Sequence, residues 1–141
     1  MTELLALHGV VEAPPDQVAD VLLDVRPGGR SPMATTGVVE ETDSGDDFVV
    51  VKDGSRLTVS VDRTARSVSL QGEWWYRGVT TVEPDPRGSR VVHQIFNVAQ
   101  GRAWAVRFVA RGPLIAAPKA FAETVQGLGE RLGVSAWVVD D

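Results

Sequence analysis

Between Thr35 and Val98 the apolar residues come in short runs, several alternating with polar ones and divided by turn chemistry, but from Pro113 onward they recur at helical spacing. A period of two belongs to strands that bury one face, and a period near 3.6 belongs to an amphipathic helix. Leu114, Ala117, Phe121, Val125, Leu128 and Leu132 fall on one stripe, while Lys119, Glu123, Gln126 and Glu130 fall elsewhere. A sheet followed by one long apolar helical stripe has few ways to bury both surfaces. The direct one curves the sheet and lays the helix across its concave side.

The rest of the chain fills in that plan. Leu4 to Val11 reads as a first strand, ended by Glu12-Ala13-Pro14-Pro15. Proline there disfavours continued pairing and suits the first turn of a helix. From Asp16, the spacing of Val18, Val21, Leu22 and Val25 predicts two to three helical turns, stopped by Pro27-Gly28-Gly29, with Arg30 to Met33 as a connector. Six strands are then expected. Thr35 to Thr42 ends at Asp43-Ser44-Gly45-Asp46, and Phe48 to Lys52 ends at a tight hairpin over Asp53-Gly54. A third carries Leu57, Val59 and Val61, and a fourth has Val68, Leu70 and Trp74 on one face. Trp75 to Glu83 and Val91 to Val98 flank a turn at Pro84 to Gly88. Gly133 suits a helix C-cap. The expected fold is α+β: a seven-stranded antiparallel sheet curved around a long C-terminal helix, with a short helix between strands one and two. Residues 1–133 would form one domain and 134–141 a tail. A lipocalin-like barrel has no helix after its first strand, and a cystatin-like cone wants its helix before the strand.

Composition narrows the function. Fourteen basic against nineteen acidic residues leave a formal charge of −5, and no basic run exceeds two residues. An electrostatic track for nucleic acid is therefore not expected. No cysteine is present, so disulfides, thiolate chemistry and cysteine-based zinc sites are excluded. No run nears the roughly 20 apolar residues that span a bilayer, and Met1-Thr2-Glu3 does not open like a signal peptide. The expected compartment is the cytoplasm. Gly28-Gly29 lacks the spacing of a phosphate loop, no Gly-x-Ser-x-Gly occurs, and the two histidines have no third ligand at metal spacing. Neither a metal nor a cofactor is expected.

The strand running into Val11-Glu12-Ala13-Pro14-Pro15-Asp16-Gln17-Val18, the stretch Gly72-Glu73-Trp74-Trp75-Tyr76-Arg77-Gly78, the hairpin to Arg90-Val91-Val92 and the final helix carry a family likeness. Together they resemble the START/Bet v 1-like superfamily (SRPBCC), whose bacterial members include polyketide cyclase/dehydrase and lipid-transport type proteins, and look like its small actinobacterial members. The resemblance implies a helix-grip fold with a cavity between sheet and helix. It implies no single reaction, because a fold is not a function.

Strand parity selects the candidate lining. A hairpin pairing Val82 with Val91 places Trp75, Arg77, Val79 and Thr81 beside Val92, Gln94, Phe96 and Val98. Tyr76, Gly78, Thr80 and Val82 then share the opposite face with Val91, His93, Ile95 and Asn97. The first set carries more apolar bulk and is assigned to the concave side, so Trp75, Arg77, Gln94 and Phe96 are expected to touch ligand and His93 to face solvent. A slip of one residue would exchange the faces. Arg77 inside the cavity would need a carboxylate, from the protein or from an anionic ligand; facing outward, it would pair with Glu73 or Glu83. Trp104 and Phe108, with Arg107 between them, would form a lid or entrance, or would anchor an extra helical turn. Phe121 and Val125 on the helix stripe are core residues that also line the cavity where the sheet stands off.

Three functions follow as expectations. The leading one is binding of a small apolar or amphipathic molecule, lipid-like or polyketide-like. An enzyme of the cyclase/dehydratase kind would handle protons with a polar group such as Arg77, Tyr76, His93 or Gln94, and would need at least two titratable groups converging inside the cavity. An interaction module with a collapsed cavity would use the apolar tail Ala136-Trp137-Val138-Val139 to pair with a second copy as a homodimer.

Overall fold

A computed structural model describes residues 2–26, 28–34, 38–41, 47–52, 54–72 and 74–139. The strands are β1 (Thr2–Val11), β2 (Val38–Glu41), β3 (Asp47–Lys52), β4 (Ser55–Asp62), β5 (Ser67–Gln71), β6 (Tyr76–Asp85), β7 (Gly88–Asn97) and β8 (Ala136–Val139). Helix α1 (Pro15–Leu22) follows β1, and α2 (Val106–Val109) leads into the long α3 (Arg111–Leu132). All strands form one antiparallel sheet in the order β2-β3-β4-β5-β6-β7-β1-β8. The seven expected strands are present in the expected sequence order. The turn expected at Asp43 to Asp46, and Asp53 of the Asp53-Gly54 hairpin, lie outside the described residues, as do both ends of the Thr35 to Thr42 run.

Local chemistry explains the boundaries. Pro15 occupies the first turn of α1, where no intrahelical donor is required, and the Pro14 carbonyl accepts from Val18 N–H at 3.1 Å. Asp16, in that first turn, sits favourably at the positive end of the helix and pairs with Arg66 at 2.9 Å, tying α1 to the turn before β5. Strand β6 runs through Pro84 to Asp85, past the turn expected to begin there, so the turn shrinks to Pro86 and Arg87. Val82 N–H points to the β5 side, onto the Arg66 carbonyl. Pro84, two residues on, turns its missing N–H to that side, beyond the last paired residue of β5, and breaks no ladder bond.

Two further segments differ from expectation. Strand β5 stops at Gln71, so Trp74 is not on it; its indole N–H donates to the Gly101 carbonyl at 2.9 Å. The segment after Gly133, read as a tail, is β8, which pairs with β1 through Val11↔Ala136 to His8↔Val139. A four-residue strand has too little length to show a period of its own. β8 is the terminal strand of the sheet, with one of its edges on β1.

The core lies between the sheet and α1 plus α3. Val18, Val21 and Leu22 of α1 meet Val82 and Val91 of the sheet and Phe121, Val125 and Leu128 of α3 in one buried cluster. Gly9 permits the close approach of β1 and α3: a Cβ there would stand 2.7 Å from a Val125 methyl. Gly9 pairs with Val91, and Val91 with Val82. Paired residues share a face, so the face covered by α3 carries Tyr76, Gly78, Thr80, Val82, Val91, His93, Ile95 and Asn97.

The expected pairing of β6 with β7 is therefore observed, but its faces are exchanged. Arg77, Gln94 and Phe96 belong to the side away from α3, while Trp75 stands just before β6, outside the paired register. The reason is chemical. Thr80 and His93 look like outward residues, yet they satisfy each other by a hydrogen bond and so can be buried.

Candidate functional site

Two hollows lie under α3, end to end. The inner one, of about 280 Å³, is lined by Met33, Leu70, Tyr76, Thr80 and His93 from below and by Ala117, Ala120, Phe121 and Thr124 of α3. Its walls are mostly carbon, and none of these side chains is an acid, a lysine or an arginine. Three polar groups stand out. Thr80 Oγ1 and His93 Nδ1 are 2.8 Å apart, and Thr80 is 1% exposed. The imidazole stacks on Phe121, with ring centroids 6.0 Å apart and planes 21° from parallel. The Tyr76 hydroxyl lies over Gly78, at 2.6 Å from where a Cβ would stand, so any other residue at 78 would push the phenol aside. Burial sets both ionisations: it holds His93 below the ordinary histidine value and raises Tyr76 above the ordinary phenol value. Both groups are neutral near pH 7.

The outer hollow is larger, about 760 Å³, and opens to solvent between Leu4 and Asn97 of the sheet and Trp104, Arg107, Arg111, Leu114 and Ile115. Asn97 organises its floor, accepting from Ala99 N–H at 3.0 Å and donating to the Ala103 carbonyl at 3.3 Å. Tyr76 of the inner hollow and Asn97 of the outer one are cross-strand partners. Trp104 and Ile115 are 71% and 69% exposed, and Arg107 stacks its guanidinium over Phe108 at 4.8 Å.

No family model matches the chain, and no curated protein matches it in sequence. Solved structures do match. TTHA0849 from Thermus thermophilus aligns with a TM-score of 0.51 and 17% identity over 90% of this chain and 96% of that one. MLL2253 from Mesorhizobium loti gives 0.60 and 13% over 92% and 96%, and Ara h 8.0201, of the Bet v 1 family, gives 0.53 and 15% over 92% and 98%. The chain has the Bet v 1-like, helix-grip fold. At these identities the likeness is one of fold.

Within the helix grip, the residues singled out from sequence are dispersed. Phe121 lines the inner hollow. Val125 is packed against Gly9 and buried in the core, away from either hollow. Trp104 lines the outer hollow, whereas Phe108 is exposed beside it. Arg77 donates to Gln71 Oε1 at 3.0 Å and Gln94 to Glu3 Oε1 at 2.7 Å, both on the outer face with Phe96. The Trp75 ring meets the Tyr76 ring edge-on at 5.4 Å. An anionic-ligand contact through Arg77 therefore has no place inside the grip. The two histidines do not share a face: His93 pairs with Leu7, while His8 points outward, with Nδ1 3.3 Å from Arg90. Among the described residues no three histidine or acidic side chains cluster as a metal site would require, and no helix is long and apolar enough to cross a membrane.

Thr80, His93 and Tyr76 are the site residues the sequence reading turned away from the helix. A usable signal existed in Gly78. Glycine inside a strand marks a close approach of other atoms, and Gly78 shares parity with Tyr76, Thr80 and Val82.

Proposed function

We propose that this chain binds a small, mostly apolar molecule in the inner hollow between the sheet and α3. One observation carries the reading: a hollow of about 280 Å³ beneath α3 with mostly carbon walls, lined also by Tyr76, Thr80 and His93. Small-molecule sites are built in this way. The space equals about nine waters at ~30 Å³ each, which suits a compound of one or two rings. The larger open hollow under Trp104 is the approach to it. The ligand class implied by the resemblance, lipid-like or polyketide-like, fits the inner space only as a compact ring system, not as a long acyl chain.

The test begins with native purification, solvent extraction and mass spectrometry, followed by titration with flat apolar probes. Saturable binding is expected for the protein and not for Ala117→Phe, which drives a ring into the hollow. Absence of saturable binding to the unaltered protein would remove the reading.

A second reading, an enzyme of the cyclase/dehydratase kind, is favoured by one specific fact: Tyr76 and His93, two titratable groups, line the same hollow. A general base, however, needs a free acceptor and is helped by a partner that stabilises its charged form. His93 is bonded to a neutral threonine, and no carboxylate lines the hollow. Binding is the better-supported role. Steady turnover of a poly-β-carbonyl substrate, abolished in His93→Gln, would reverse that order.

A further inference from the structure

The protonation pattern of the inner hollow can be worked out from its hydrogen bonds. The Thr80 hydroxyl is buried, and among the described residues its side-chain bond is to His93 Nδ1. A buried hydroxyl must place its proton on an acceptor, because an unplaced one has lost its water with nothing in exchange. Nδ1 is the acceptor within reach, so it carries the lone pair. A neutral imidazole has one N–H, which must then be on Nε2. With Nδ1 tied to β6 and one ring face against Phe121, Nε2–H is the polar edge His93 offers the hollow.

Tyr76 supplies a second donor. Its ring folds along β6 over Gly78, carrying the hydroxyl toward Thr80, two residues further along the same face. No protein acceptor for that hydroxyl occurs among the described residues. Two donors thus stand at one end of a space with no charged wall. An alcohol would bring a proton of its own to be placed. A carboxylate would be stripped of water with no cation to meet it, which is costly. A carbonyl oxygen has two lone pairs and no proton.

We infer that Tyr76 Oη–H and His93 Nε2–H, the latter fixed in its tautomer by Thr80, form a two-donor clasp that selects an apolar ring compound bearing a neutral carbonyl group. This deepens the binding reading above and rests on it.

The experiment uses three probes on one carbon frame: 1-tetralone, tetralin and 1-naphthoate. Titration of the full chain should show 1-tetralone binding at least about tenfold more tightly than tetralin, with 1-naphthoate weakest, since each donor contributes about five- to tenfold. The bound ketone's carbonyl stretch should move to lower wavenumber. Tyr76→Phe should lower the ratio of 1-tetralone to tetralin affinity about five- to tenfold. Nitrogen-15 spectra of the unaltered protein should show His93 as the Nε2–H tautomer, and Thr80→Val should release it into a mixture. Equal affinity for tetralin and 1-tetralone, tightest binding of the carboxylate, or an Nδ1–H tautomer would overturn the clasp. If tetralin binds and the ketone gains nothing, the clasp fails and the hollow stands as a ligand site; if no probe binds, both fail.

Discussion

The two hollows under α3 are built from the same helix and the same sheet, yet they differ in what they can distinguish. In the inner one, the Thr80–His93 bond and the Phe121 stack fix the polar end, and a bound molecule would exchange water for carbon on most sides. In the outer one, Trp104, Phe108 and Ile115 stand in solvent beside Arg107 and Arg111. There a ligand keeps much of its hydration, and side chains lose little by moving. The outer hollow is the larger, at about 760 Å³ against about 280 Å³, but the buried Thr80–His93 bond lines the smaller. Carbon walls make each polar group count, because an unmatched donor in carbon surroundings is expensive while one in water is not.

The sharpest contrast is in stability. Phe121 is both the roof of the inner hollow and part of the core, so Phe121→Ala should cost about 3–5 kcal/mol in urea unfolding. Gly78→Ala comes next. The added methyl must displace the Tyr76 hydroxyl, which should cost about 1–3 kcal/mol and weaken 1-tetralone binding about tenfold, a loss visible by titration. A third, smaller effect follows from His93. Because burial depresses its folded-state pKa, the unfolded chain takes up a proton before the folded one does as pH falls below about 6.5. Stability should therefore fall as pH drops from 6.5 toward that lower folded value and should be unaffected by this group above 6.5. Urea midpoints of the protein and of His93→Gln, compared from pH 7.5 to 5, should converge on acidification. The smallest change belongs to the outer hollow: Trp104→Ala should alter stability by no more than about 0.5 kcal/mol, as expected for an exposed side chain. A large loss there would erase the distinction between the two regions.

The sequence carried the plan of the fold further than the plan of the site. Period-two runs, the Pro14-Pro15 break and the Leu114 to Leu132 stripe each report a local preference that the tertiary structure obeys. Even the pairing of Val82 with Val91 was legible, since a short turn leaves little choice of register. Which face turned inward was not, because parity gives two equivalent answers and the deciding fact is a contact across the sheet. Val91, Ile95 and Val82 are on the buried face with Thr80 and His93 between them, and counting apolar bulk misjudged a pair that neutralises its own polarity. Gly9 and Gly78 held the missing information, one beneath Val125 and the other beneath the Tyr76 ring. Strand β8 was hidden for another reason: Ala136 to Val139 acquires a partner only when β1 presents its free edge.

Where a bound molecule rests can be read directly from intermolecular nuclear Overhauser effects between 1-tetralone and assigned side chains of the 141-residue chain. Contacts to the Phe121 ring, the Ala117 methyl and the Leu70 methyls, with none to Trp104, are the result that places the ligand beneath the middle of α3. Contacts confined to Trp104, Leu114 and Ile115 would mean that the smaller hollow is only a packing defect and that any binding happens in the larger one.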